Sequence, residues 1–235
     1  MLLLLVPAAL HAQGDPLAWL NGMRHGVGAS PVARDALLSE TAARWAARLA
    51  AAGILSHRGD DGSTALDRYR AEGGTEVRVG EILGAGPGLT DIEMRWMASA
   101  EHRQLALSPG WTHTGWGSAP SGASLVTVMM FTEKRVEELL IDFGPRGLAV
   151  SGRFAARDVT RGVLYNGLDQ VPPSDWDPAS RRFLFEVPGS ELAGYLRLGY
   201  VAHGERFTLT NAFTWPPEKG SRGAEDRFSP PAPSP

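Results

Sequence analysis

The chain contains no cysteine, which removes disulfides, thiolate metal sites and cysteine nucleophiles together. Site chemistry therefore falls to histidines and carboxylates. His57, Glu81 and His102 lie far apart in the chain and can meet only through the fold. Two neutral imidazoles and a carboxylate can bind Zn²⁺, or another divalent metal, with one position left open for water or a ligand. The same trio can perform general acid–base chemistry, with Glu81 orienting one imidazole. Each also has a plain structural use. His57 follows a helix and can cap its end, Glu81 beside Gly80 can be a turn carboxylate, and His102 can be a partly buried hydrogen-bonding group. Residue type and spacing do not by themselves select these three from the other polar residues.

The remaining histidines read as structural. His25 sits near a helix end and reads as solvated. His113, between Trp111 and Trp116, reads as packed, His203-Gly204 as a hairpin turn, and His11 as part of an N-terminal leader. No G-x-S-x-G motif places a serine nucleophile. Gly84-Ala85-Gly86-Pro87-Gly88 lacks the lysine and threonine of a phosphate loop, and its proline removes a backbone donor, so it reads as a loop.

The elements that must position these groups alternate helical patterns with turns up to Glu133. Asp15 is an N-cap candidate with Pro16 at the first helical position, and Leu17, Leu20 and Arg24 follow at helical spacing. Asp35 to Ala52 is the strongest helical pattern: Leu38, Ala42, Trp45 and Leu49 share one face, Arg44 and Arg48 another, and Gly53 ends it. Gly62 to Glu72 reads as a short helix closed by Gly73-Gly74. Thr90 to Glu93 fits a capping box that opens a helix running toward Leu107, broken by Ser108-Pro109-Gly110. Leu125 to Phe131 suits a buried strand, with Gly115 to Ala119 as its hairpin partner.

After Lys134 the pattern becomes short apolar or alternating runs separated by turn signals such as Asn166-Gly167 and Pro188-Gly189, the signature of an antiparallel sandwich. The expected fold class is α+β. Residues 1–13 read as a signal sequence: Met1 to Leu10 is too short an apolar run to span a bilayer as a helix, and Leu10-His11-Ala12 resembles a cleavage site, although no basic residue precedes the run. Residues 14–134 read as the helix-rich domain, 135–216 as a β-sandwich domain, and 217–235 as a disordered tail rich in proline, serine and charge. A formal net charge of -3 without any basic cluster excludes a nucleic-acid partner and offers nothing to anionic membranes. No segment reads as a transmembrane span.

Several short motifs follow one another in a recognisable order. Leu20-Asn21-Gly22-Met23-Arg24 precedes Gly28-Ala29-Ser30-Pro31-Val32. The alanine-rich helix leads into Gly53-Ile54-Leu55-Ser56-His57. Asp61-Gly62 and Asp67-Arg68 come next, then Gly80-Glu81-Ile82, then Trp96-Met97-Ala98-Ser99-Ala100-Glu101-His102-Arg103, and finally Gly115-Trp116-Gly117. In this order they resemble the CAP (SCP-like) family of secreted proteins over about half the chain. The resemblance implies an α-β-α sandwich domain, followed here by the small antiparallel β-sandwich. It implies a pocket lined by two histidines and one or two glutamates, which by motif position are His57, Glu81 and His102, with His57 and His102 as metal ligands if Zn²⁺ is held. The family's second glutamate, three residues after the tryptophan, is replaced by Ser99; Ile82 replaces the usual asparagine, and Gln104-Leu105-Ala106-Leu107 replaces the usual "aNIL".

The resemblance also implies a secreted protein, extracellular or periplasmic, that binds a small or lipid-like ligand or a cell-surface component more readily than it catalyses. A hydrolase using metal-bound or Glu81-activated water is the alternative. A third reading makes the β-domain the working part, binding cell-wall glycan or protein.

Overall fold

The computed structural model describes residues 15–203 and 206–215. The expected leader over 1–13 and the expected tail over 217–235 fall outside them. The first part holds α1 (Pro16–Gly26), β1 (Ala33–Arg34), α2 (Ala36–Ala52), α3 (Ala65–Ala71), β2 (Val79–Gly86), α4 (Leu89–Ala98), α5 (Ala100–Ala106), β3 (His113–Ser121) and β4 (Ser124–Thr132). Its sheet has the order β1-β3-β4-β2, antiparallel except for the parallel β1–β3 pair.

The alternation along the strands explains the three layers. On β4, Val126, Val128 and Met130 enter a core with Leu38, Trp45 and Leu49 of α2 and Tyr69 of α3. Met129 and Phe131 point the other way, into a core with Leu20 of α1, Ile92 and Trp96 of α4 and Ala106 of α5. A strand covered on both faces has no polar side to show, which is why β4 reads as one apolar run. Two glycines let α2 approach β3. A Cβ on Gly115 would lie 2.3 Å from the Ser39 nitrogen, and one on Gly117 would lie 2.2 Å from the Ala43 Cα.

Three local readings are corrected. α4 begins at Leu89 with Gly88 as N-cap and no side-chain cap, so Thr90 to Glu93 form no capping box. The helix toward Leu107 is two helices, because Ser99 leaves helical geometry at ψ 124 and caps α5 with its own side chain. Gly84 to Gly86 continue β2 rather than forming a loop, since glycine tolerates the close covering of Ile92 and Trp96 there.

Among the described residues, the regular elements of the second part are one short 3₁₀ turn at Gly189–Glu191 and the strands β5 (Val136–Gly144), β6 (Gly147–Phe154), β7 (Val159–Asn166), β8 (Asp169–Val171), β9 (Asp175–Asp177), β10 (Arg182–Pro188), β11 (Tyr195–Ala202) and β12 (Phe207–Thr214). Two four-stranded sheets, β5-β6-β10-β9 and β12-β11-β7-β8, enclose one apolar core, with Val150, Phe154 and Phe185 from one sheet facing Leu164, Leu196 and Leu198 from the other. This is the antiparallel sandwich that the alternating runs imply. No described helix is long and apolar enough to cross a membrane.

Candidate functional site

The site begins at the end of α2. Gly53 takes the left-handed conformation at φ 68 and stops the helix. The Trp45 indole then donates to the Ser56 carbonyl at 3.2 Å, pinning the loop that carries His57. The His57 Nδ1–H donates to Glu81 Oε1 at 2.8 Å. That bond leaves Nε2 as the lone-pair nitrogen of the neutral ring. His57 is therefore no helix cap, and Glu81 is no turn carboxylate: it stands within β2 with a side chain only 3% exposed.

A third group completes this cluster. Arg68 of α3 donates to Glu81 Oε2 at 2.6 Å and to the carbonyls of Ser63 at 3.0 Å and His57 at 3.3 Å. Its guanidinium also lies 3.9 Å from the Trp45 ring centroid, a cation–π contact within a nearly dry layer. α3 can begin where it does because Thr64 and Asp67 form a capping box. The Thr64 hydroxyl and amide hold the Asp67 carboxyl below its ordinary range, as Ser63 does for Asp61. Sequence reasoning quoted Arg68 as a motif residue and gave it no role. The signal was present, because a buried Glu81 needs a counter-charge and a family motif had already marked Arg68.

His102 stands apart from this pair. It lies on α5, whose N-cap Ser99 accepts from the His102 amide at 3.5 Å. The residue standing where a second glutamate was expected is thus a helix cap for the segment that carries the histidine. The His102 ring has no hydrogen-bond partner among the described residues and faces a cavity of about 260 Å³. Leu55, Leu83, Ile92 and Trp96 supply apolar walls, and Arg95, Ser99 and His102 the polar ones. Trp96 donates to the Leu83 carbonyl at 3.0 Å and Arg95 to the Ala85 carbonyl at 3.2 Å. These two bonds close the outer edge of β2 with side chains. Leu55 and Leu83 are each two residues from His57 and Glu81, so the cavity adjoins the pair without touching it.

These residues fit a metal ion poorly. Among the described residues no three His, Asp or Glu groups come together to hold one. Glu81 already spends both oxygens, one of them on a guanidinium that would repel a cation. The other readings are simpler. His25 and His203 are exposed, and His113 is partly buried on β3 with its Nδ1 2.9 Å from the Thr112 hydroxyl. Trp176 and Trp215 pack against the sandwich core, and Tyr165 meets Phe207 edge-on. Tyr195 is 42% exposed.

Comparison with known proteins bears on the first part of the chain. A sequence profile described as the cysteine-rich secretory protein family, CAP, matches residues 17–131. No curated protein matches the chain in sequence. Among solved structures, an outer surface protein from Borrelia burgdorferi is 18% identical with a TM-score of 0.47, over 50% of this chain and 88% of that one. An extracellular protein containing an SCP domain from Bacillus anthracis is 19% identical with a TM-score of 0.46, over 50% of this chain and 39% of that one. A cysteine-rich secretory protein from Staphylococcus aureus is 19% identical with a TM-score of 0.42, over 53% and 40%.

Proposed function

Residues 17–131 form a domain of the CAP family, and from that premise we propose that this is an exported ligand-binding protein whose CAP domain takes a small, largely apolar ligand into the cavity beside His102. The observation that carries the reading is the cavity itself. Apolar walls with a few polar groups on one side are the usual composition of a small-molecule site. Arg95 and the unpartnered His102 ring would orient the polar end of a ligand, and an anionic or hydrogen-bond-accepting end suits both.

Binding is favoured over catalysis by the state of Glu81. A general base must reach the proton it takes, and Glu81 is buried, bonded to His57 and Arg68, and does not line the cavity. The bonded cluster of His57, Glu81 and Arg68 forms a wall beside Leu55 and Leu83. A location outside the cytoplasm is supported by the leader-like start of the chain and by the secretory description of the family whose profile matches residues 17–131.

The test is an NMR titration of the full chain with hexanoate, hexanol and hexylamine. The expected result is saturable movement of the Leu83 methyl and His102 ring signals by hexanoate, weaker movement by hexanol, and none by hexylamine. His102→Ala should weaken hexanoate binding. Equal response to all three probes, or none, would refute the reading.

A further inference from the structure

The two parts of the chain are joined by a strand-like seam. The Val77 amide donates to the Thr210 carbonyl at 3.2 Å and the Ala212 amide to the Thr75 carbonyl at 2.8 Å. Between them Glu76 and Asn211 form an antiparallel bridge. The Asn211 side chain, 1% exposed, adds a bond from Nδ2 to the Thr75 hydroxyl at 2.9 Å. Residues 75–77 thus extend the outer edge of β12.

Glu76 links this seam to the CAP domain. Its carboxylate is buried and accepts from the Tyr69 hydroxyl at 2.6 Å. Burial, with the negative charge of Glu76, pushes the Tyr69 hydroxyl far above its ordinary pKa, so it remains a donor. The Tyr69 ring lies against Gly74, where a Cβ would sit 2.2 Å from the ring. α3 has only seven residues, too few to hold a position by its own hydrogen bonds, so tertiary contacts place it. Tyr69 is one of those contacts, and the next residue back is Arg68, bonded to Glu81.

We propose that the β-sandwich is a positioning element of the CAP-domain site: β12 places residues 75–77, Glu76 holds Tyr69, and α3 carries Arg68 to Glu81. Glu76, Tyr69 and Asn211 are on this account positioning residues. The sandwich sets the geometry of the wall behind the cavity, and a partner that strained β12 would be felt there. Only the consequence for ligand affinity rests on the binding function proposed above; the relay itself is read without ligand.

The experiment uses the full chain with Glu76→Ala, Glu76→Gln and Tyr69→Phe. The readouts are the Trp45 indole N–H resonance, identified through Trp45→Phe, and hydrogen exchange of the α3 amides. Glu76→Ala and Tyr69→Phe should shift the Trp45 signal and speed α3 exchange about tenfold or more, the size set by one buried charge-assisted hydrogen bond. The Trp96 and Trp116 signals should stay in place. Glu76→Gln keeps an acceptor for Tyr69 and should restore the parent spectrum. If Glu76→Ala does not fold, Tyr69→Phe decides alone, since it removes one oxygen. An unmoved Trp45 with parent-like α3 exchange overturns the proposal and leaves the seam as a fastening. Hexanoate titrated into the same variants should bind more weakly; hexanoate failing to bind the parent would refute the ligand reading while the Trp45 signal still judges the relay.

Discussion

Removing the Arg68 guanidinium puts the central cluster under its most direct stress. Arg68→Met keeps much of the aliphatic stem and deletes the charge. Glu81, 3% exposed, then keeps only the His57 hydrogen bond among the described residues. Breaking one side of a buried ion pair costs about 3–5 kcal/mol. The His57 bond at 2.8 Å survives, which argues for the lower end, and the lost stacking on Trp45 adds about 0.5–2 kcal/mol. The expected loss is about 4 kcal/mol, or about 8–16 °C in Tm for a chain of this size. Urea unfolding followed by tryptophan fluorescence measures it. Glu81→Gln removes the same charge from the other side, so Arg68→Met/Glu81→Gln should cost at least about 1 kcal/mol less than the sum of the singles. Single losses below about 1 kcal/mol, or strict additivity, would show that the pair is solvated in solution and would refute the closed-wall account.

Three further outcomes follow from other parts of the structure. Arg24 is fully buried and donates to the carbonyls of Ser30, Ala106, Ser108 and Trp111; Arg24→Met should cost at least about 3 kcal/mol by urea unfolding, and Arg24→Lys should not rescue it, because one ammonium cannot span four acceptors. Burial raises the pKa of the Glu93 carboxyl, so the fold favours its protonated form and stability falls as pH rises from the ordinary glutamate value through the raised one. Glu93→Gln should therefore have the higher urea midpoint at pH 7 and lose that advantage at pH 4. Gly117→Ala would drive a methyl to 2.2 Å from the α2 backbone, so a loss above about 3 kcal/mol, or failure to fold by circular dichroism, is expected.

Much of the fold was legible from local patterns. The face of α2 carrying Leu38, Ala42, Trp45 and Leu49 is the buried face observed, because a 3.6-residue period records one-sided burial directly. The alternating runs after Val136 became a sandwich for the same reason at period 2. Motif order identified the CAP domain, and with it His57 and Glu81, which are indeed bonded. What local pattern carries poorly is a boundary set by something distant. The helix break at Ser99 and the strand through Gly84 depend on how α4 and α5 cover β2, and no neighbour in sequence announces that.

The pairing of charges was decided by tertiary structure alone. Sequence named a glutamate and two histidines and marked Arg68 only as a motif residue; that Arg68 takes one Glu81 oxygen, and that His102 faces a cavity instead of joining that pair, came from the packed chain. The seam between Glu76 and Asn211 is equally silent in sequence, since its residues are 135 positions apart and polar, like many on any surface. Periodicity reports which side of an element avoids water. Which charge meets which depends on directions in space, and only the packed chain supplies those.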